Sequence, residues 1–495
     1  MKENDSNSQK VIRGISSQTM VTVVLGVVEI VSFSIMSRLL TKEDFGYYAA
    51  INAITVVFST FAETGIGSAI VQQKTINSRY VNNAFTISFF FGSFLSLLLF
   101  CLASPLASIV ADKSMKLPLM IMSGTLLLNS LTSVNNSLMH RKLQFLRIGM
   151  IKLVSLIITT IVAIWLAIMG LGYYAIISKA VLGAIITYLL TLYYCKTHFK
   201  LAFDKDTGKR IFSFSGWLVA SSLFRNLAHQ IDKLMMPSLL SVQALGAYNR
   251  PKDFIEQVSS RLNGIFDTAL FPVLSGLQDN LAVLNSAYKR SLFVMNLFAS
   301  LLTLAFMFNS RLLIRVFFGE EWLGLQPVMF VISISLLFNI DGRLSDCYLR
   351  SLAMTKQQFY FRIFETIVKI IGVLVSYKWG ILGVAVSLAL TNFISNILKI
   401  LYVGIVLQEA PLRVVKIITM SWKYMLFFLP LCVVAFMFLP NSLGGEFAMA
   451  AFFLILTIVV FLFFPKIVGQ QYKDEIHGKV LLFLKQKTYL RMINR

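Results

Sequence analysis

A chain of 495 residues that is 57% hydrophobic and only 14% charged, with a mean hydropathy of +0.75, has too few charges to cover a soluble globular fold, where about a quarter of residues are charged. The composition predicts an all-α, polytopic integral membrane protein, and the net charge of +22 reads as the cytoplasmic Lys/Arg excess of such a protein, so nucleic acid is not an expected partner. Four scattered cysteines, four histidines without HExxH spacing and the lack of a GxxxxGK[ST] run argue against a disulfide framework, a zinc centre and direct ATP hydrolysis.

The first six apolar runs lie near residues 14–36, 46–71, 80–103, 117–137, 148–169 and 172–195. Each is about long enough, at 1.5 Å per residue, to cross a hydrocarbon core of roughly 30 Å. Six more follow near 212–236, 255–275, 291–310, 326–347, 361–378 and 381–405, with a last pair near 422–440 and 447–465. About fourteen transmembrane helices are therefore expected. The last pair holds almost no ionisable residue in its apolar core and reads as an appended hairpin facing lipid. The polar stretch before Val11 carries both signs of charge and no signal-peptide pattern, so the first helix is expected to stay attached.

Two echoes divide the series into halves. Leu39-Leu40-Thr41 with Phe45-Gly46-Tyr47-Tyr48 returns as Leu239-Leu240-Ser241 with Leu245-Gly246-Ala247-Tyr248. Further on, Ser137, Leu138, Lys142, Gln144 and Phe145 return as Ser351, Leu352, Lys356, Gln358 and Phe359. The expected organisation is an N-terminal lobe at 1–200 with helices one to six, a C-terminal lobe at 201–410 with helices seven to twelve, and the hairpin with a basic tail at 411–495. Such repeats are typical of secondary transporters, which rock one half against the other. The segments around Gly46 and Gly246 read as structural turns between the first two helices of each lobe. Lys and Arg gather on one side, at Lys2, Lys10, Arg13, Arg141, Lys142, 196–210, Arg413, Lys416 and 466–495, which places both termini in the cytoplasm.

Ionisable residues inside the apolar runs are the candidate functional groups, since a charge at mid-helix costs roughly 2.5–3.5 kcal/mol and is rarely turned to lipid. Helix seven is the richest. Arg225, His229 and Asp232 follow four and three spacing and share one face, with Asn226, Gln230 and Lys233 beside them. Their bland alternative is an Arg225–Asp232 salt bridge. Other candidates are Glu29, Glu63, Lys152, Lys179 and Asp267, with Asp341 and Arg343 in helix ten; Arg343, Asp346 and Arg350 read equally as a helix end at the interface, and Glu365 with Lys369 as an intrahelical pair.

The runs Arg38-Leu39-Leu40-Thr41, Asp44-Phe45-Gly46-Tyr47-Tyr48-Ala49, Phe61-Ala62-Glu63-Thr64-Gly65 and Ala69-Ile70-Val71-Gln72 resemble the polysaccharide flippases of the multidrug/oligosaccharidyl-lipid/polysaccharide (MOP) exporter superfamily. Leu245-Gly246-Ala247-Tyr248, Phe271-Pro272-Val273-Leu274-Ser275 and Phe318-Gly319 before Trp322 extend the match, which reaches to about residue 405 and is most similar to the Wzx-type, colanic-acid-exporter-like branch. The resemblance implies two six-helix lobes forming a V, as in the MATE transporters, plus two extra helices. It also implies a secondary transporter, not an enzyme, that moves undecaprenyl-diphosphate-linked oligosaccharide across a bacterial inner membrane, working beside a polysaccharide polymerase and a chain-length regulator.

Under that reading Lys152, Lys179, Arg225 and Lys233, helped by His229, would replace the hydration that a diphosphate loses in the membrane. Asp232, Glu63 and Asp267 would bind a coupling cation, sodium or a proton; no other cofactor is expected. The alternatives are a drug or metabolite antiporter of the same superfamily, for which a mostly acidic, aromatic cavity is expected, and a membrane polysaccharide-assembly enzyme.

Overall fold

The computed structural model describes residues 2–63, 67, 70, 76–110, 113–142, 144–195, 200–202, 204–265, 270–408, 411–438 and 442–471. Among them there is no strand; the elements are helices, which close their own backbone hydrogen bonds where no water is at hand. Among the described residues fourteen helices have 22 residues or more. They are α1 (Lys2–Leu39), α2 (Lys42–Glu63), α3 (Ser78–Ile109), α4 (Lys116–Arg141), α5 (Phe145–Ile168), α6 (Tyr173–Cys195) and α7 (Lys205–Leu239). Then follow α8 (Val242–Ile265), α9 (Leu281–Phe308), α10 (Gln326–Ser351), α11 (Thr355–Ser376), α12 (Gly380–Val406), α13 (Pro411–Phe438) and α14 (Leu443–Gln471). Nine segments among the described residues are long and apolar enough to cross a membrane.

Packing repeats with an offset of six helices. In the first set α1 packs on α5, α5 on α6, α6 on α4, and α4 on both α3 and α2. In the second, α7 packs on α11, α11 on α12, α12 on α10, and α10 on both α9 and α8. The two sets meet mainly where α2 crosses α8 and α7.

The expected run 255–275 misses the start of α8 by 13 residues. Arg250, Lys252, Asp253 and Glu256 interrupt its hydropathy, yet they lie inside a helix because they find partners on neighbouring helices. In its far part the structure describes the five-residue helix Phe271–Ser275. The expected span 46–71 continues past the end of α2 at Glu63 into residues that lie mostly outside those described.

The first echo is explained by local chemistry. Thr41 precedes α2, and its hydroxyl accepts from the Asp44 amide (3.2 Å) while the Asp44 carboxylate accepts from the Thr41 amide (3.0 Å), a reciprocal helix cap. Ser241 caps α8 through one such bond alone, its hydroxyl accepting from the Ala244 amide at 2.9 Å. Five residues after each cap stands the glycine. A Cβ on Gly46 would lie 1.9 Å from the Val242 carbonyl oxygen, and one on Gly246 only 1.7 Å from the Lys42 carbonyl oxygen. The echoed glycines are therefore the contact at which α2 and α8 cross, a closer approach than any side chain permits.

Around that crossing one end of the bundle is sealed. The Arg250 guanidinium lies over the rings of Phe33 (3.2 Å) and Phe45 (3.9 Å) and donates to the Phe33 carbonyl at 2.6 Å, a cation–π clamp between α8 and the first two helices. Phe254, Phe317, Phe318 and Trp322 complete the cluster, and the Trp322 indole donates to the Ser37 carbonyl at 3.0 Å. Asp44 reaches the start of α6 as well, accepting from the Tyr173 amide at 2.8 Å.

The terminal pair departs in part from the lipid-facing hairpin expected. α13 packs along α9 and α12, with Cys432 fully buried, while α14 leaves Leu454, Ile455 and Leu462 exposed. Glu446, at the start of α14, is buried and holds two arginines of the short helix Ser310–Phe317, Arg315 at 2.7 Å and Arg311 at 3.1 Å. Breaking a buried pair by removing one partner costs about 3–5 kcal/mol, discounted here because Arg311 is about a third exposed. Glu446→Ala is expected to lower the thermal unfolding midpoint in detergent by several degrees; an unchanged midpoint would show that the clamp contributes nothing.

Candidate functional site

A cavity of about 280 Å³ lies among α7, α8, α10, α11 and α12. Helical periodicity explains how each helix reaches it. On α7, Arg225, His229 and Asp232 all line it, as their spacing predicted. On α8 the lining positions are Tyr248, Lys252, Ile255, Glu256, Ser259 and Ser260, and on α11 Arg362, Glu365 and Lys369, each set at three and four spacing. α10 contributes Gly342, Arg343 and Asp346, and α12 Asn396 and Lys399. The helix-end reading of Arg343 and Asp346 gives way to this position, because α10 runs on to Ser351 and both residues face inward.

Among the described residues the wall holds six basic side chains, Arg225, Lys252, Arg343, Arg362, Lys369 and Lys399, against four carboxylates, Asp232, Glu256, Asp346 and Glu365. The carboxylates are committed. Asp232 does not pair with Arg225: it accepts from Lys252 and from the Tyr248 hydroxyl (2.8 Å). Glu256 lies 3.7 Å from Lys252 and 3.8 Å from His229. Asp346 accepts from Arg362 and lies 3.1 Å from Lys399. Glu365 accepts from Lys369 at 2.8 Å, the intrahelical pair expected, and from Arg362 at 2.9 Å. Lys369 also donates to the Ala228 carbonyl at 3.2 Å, tying α11 to α7.

Arg225 stands apart. It is exposed to the cavity and donates to the Ser222 hydroxyl at 3.2 Å, while Arg343, Arg350 and Arg362 act on it electrostatically and Asp346 opposes them. Four guanidinium groups with Asp346 and Glu365 among them make a site richer in basic than in acidic groups. Arginine is suited to phosphate through its planar array of donors.

The remaining sequence candidates fall elsewhere. Lys233 is buried on the α8 side of α7, donating to Asp253 at 3.1 Å near Tyr48 of α2. Lys179 on α6 is half-buried, donates to Ser32 of α1 at 2.6 Å and interacts with Glu29. Lys152 is exposed on α5, with His140 of α4 as an electrostatic neighbour, and does not line the cavity. Asp267 and the side chain of Glu63 lie outside the described residues. Sequence reasoning missed Lys252, Glu256, Arg362 and Lys399. The signal was present for Lys399, a lysine in the middle of the run 381–405.

Long apolar helices around an internal charged cavity define a polytopic membrane transporter. Residues 35–327 match the family described as polysaccharide biosynthesis protein, and the chain belongs to that family. It is 22% identical over 398 residues to the lipopolysaccharide biosynthesis protein WzxC of Escherichia coli (strain K12), covering 79% of this chain and 80% of that one. It is 21% identical over 343 residues to the succinoglycan biosynthesis transport protein ExoT of Rhizobium meliloti (strain 1021), covering 68% of each. Among solved structures, the lipid II flippase MurJ in an inward closed conformation superposes with a TM-score of 0.73 at 16% identity, over 92% of this chain and 99% of that one. An inward-facing MATE-family multidrug transporter of the MOP superfamily gives 0.64 at 14%, over 82% and 98%. These two structures share the fold.

Proposed function

We infer that the protein is a flippase of the MOP superfamily, moving lipid-linked oligosaccharides between membrane leaflets during polysaccharide synthesis. It is a multi-pass membrane transporter and not an enzyme. The observation that carries this reading is the cavity's excess of fixed positive charge, focused on Arg225. A phosphorylated headgroup can exchange its hydration for those donors while its apolar tail remains in lipid. The same excess is unsuited to a cationic drug.

The finer reading is that the carrier is undecaprenyl diphosphate and the membrane a bacterial inner membrane, with both termini cytoplasmic and the sealed end outward. A polysaccharide polymerase and a chain-length regulator are the proposed partners downstream. Residues 1–200 and 201–410 act as two lobes, with 411–495 added to the second. The lobes alternate between inward and outward openings, driven by a cation; the contact of α2 with α8 closes the outer side while substrate enters from within. Lys152 and Lys179 are proposed as further headgroup contacts on the first lobe.

Arg225→Ala is expected to abolish surface polysaccharide, a loss of at least tenfold, with normal amounts of protein in the membrane. Lys152→Ala, whose side chain lies away from the cavity, is expected to cost less. In proteoliposomes the wild type should move a fluorescent lipid-linked oligosaccharide without covalent change. Altered sugar chains in that assay would sink the flippase reading.

A further inference from the structure

The connection between α9 and α10 is longer than its counterpart in the first set. α3 ends at Ile109 and α4 begins at Lys116, whereas α9 and α10 leave residues 309–325 between them. Those residues form the short helix Ser310–Phe317 and the 3-10 turn Glu320–Leu325. The second set is also the one that carries the appended hairpin. The short helix touches both that hairpin, through α14, and the first set, through α1.

Toward α1 the contact is made by the end of the short helix. In its last turn the Val316 carbonyl accepts from Arg38 at 2.8 Å and from the Ser34 hydroxyl at 3.4 Å, both on α1. Carbonyls of a last turn lack intrahelical partners, and a cation placed there also meets the negative pole of the helix dipole. Phe317 packs on Phe254 with ring centroids 5.0 Å apart, and Phe318 on Phe33 at 5.3 Å. On another face Arg311 and Arg315, four residues apart, reach Glu446 of α14.

Glu446 is a polar contact that fixes where α14 sits. α14 packs on α9 and on the short helix, while Leu443, Leu454, Ile455 and Leu462 leave much of its apolar surface exposed. Lipid tails are as apolar as those side chains, so covering them with protein brings little gain, and a polar contact sets orientation instead. Glu446 is 8% exposed and stands in the first turn of α14, where the helix dipole favours a carboxylate. Arg315 has a second acidic neighbour in Glu320 at 3.5 Å. That carboxylate is 75% exposed, and a pair in water is worth little.

We propose that Glu446 is a positioning residue of the sealed end: through Arg311 and Arg315 it sets the short helix against α1, so that the appended hairpin holds this end shut. The chain of contact is continuous. α14 fixes Arg315, Arg315 and Val316 are neighbours in one helix of eight residues, and Val316 receives Arg38 and Ser34. Phe318 then lies on Phe33, the ring that also carries the Arg250 guanidinium. A helix of two turns moves as one body, so releasing its arginines also loosens the Val316 carbonyl from α1. Opening of this end therefore requires α14 to travel with the short helix or the Glu446 pairs to break. What the opening admits rests on the flippase reading; the coupling of hairpin to gate is testable without it.

The test uses the purified full chain in phosphatidylethanolamine/phosphatidylglycerol vesicles without substrate. Native cysteines are replaced, and a thiol is placed at Ala49, one turn beyond Gly46 and 1% exposed. Labelling by a membrane-impermeant maleimide is followed well below each variant's thermal midpoint. Glu446→Gln keeps the shape and removes the charge, and is expected to raise the labelling rate at least threefold. Arg38→Gln, on the α1 side of the short helix, is expected to do the same, and the double variant to exceed neither single variant by more than its error. A lowered midpoint with wild-type labelling would make Glu446 a structural clamp alone and overturn the proposal. A double variant whose two effects multiply overturns it equally, since the sites would then act independently. If Glu446→Gln fails to reach the membrane, Arg311→Gln, at a side chain about a third exposed, is read against the same thresholds. A wild type that moves no lipid-linked oligosaccharide would sink the flippase reading and leave the labelling result standing.

Discussion

Gly246→Val is expected to eliminate export while the chain still reaches the membrane. At this position even a Cβ would lie 1.7 Å from the Lys42 carbonyl oxygen and 2.7 Å from the Gly46 amide nitrogen. Both obstacles are backbone, so no rotamer change relieves the clash. The first turns of α2 and α8 must separate, loosening the sealed end that Arg250 and the aromatic cluster close. Overpacking of this kind costs about 1–3 kcal/mol and falls only on the state in which the two helices touch. Because 1.4 kcal/mol is tenfold in an equilibrium, about 3 kcal/mol moves the population roughly a hundredfold toward the form open at that end. Labelling of a thiol placed at Ala49, one turn beyond Gly46 on α2 and 1% exposed, should rise accordingly. Normal export with unchanged labelling would show that the crossing is not a gate.

The glycine pair was visible in the sequence as a repeat, and its meaning was not. An echo separated by two hundred residues marks equivalent positions in two halves; it carries no information on whether those positions touch. They touch because α2 and α8 cross at the interface between the repeated sets. The cap explained itself locally, since Thr41 and Ser241 each precede a helix, and so did the Arg225–His229–Asp232 stripe. Pairing was the part that spacing could not reveal. Asp232 stands seven residues from Arg225 on one helix, but Lys252 reaches it from another. Partners on different helices are set by tertiary packing, and no period along one chain segment encodes them. Likewise α8 was mis-bounded because hydropathy counts Arg250, Lys252, Asp253 and Glu256 as breaks, whereas in a bundle they are satisfied from the side.

Those cross-helix pairs give the cavity its own anions, and the consequence is clearest at Asp346. This carboxylate is 6% exposed and receives Arg362 and Lys399 beside the Arg225 cluster. A phosphorylated headgroup that enters must compete with it for the same donors. On the proposed reading Asp346 is a placeholder that offsets the repulsion between Arg362 and Lys399 when no substrate is bound and helps to expel the substrate afterwards. Asp346→Asn leaves three carboxylates against six basic side chains among the described residues of the wall. Stranding a buried charge in this way costs about 3–5 kcal/mol, so the variant's thermal midpoint in detergent is expected to fall. Inorganic pyrophosphate, added at constant ionic strength, should restore the missing negative charge. At a hundred times its dissociation constant a ligand contributes about 2.7 kcal/mol, enough to recover much of the loss, and the gain should exceed that of the wild type, in which Asp346 competes. Export should nevertheless fall, because release slows as binding tightens. Equal stabilisation of both proteins by pyrophosphate would remove Asp346 from that role and leave it a structural partner of Arg362.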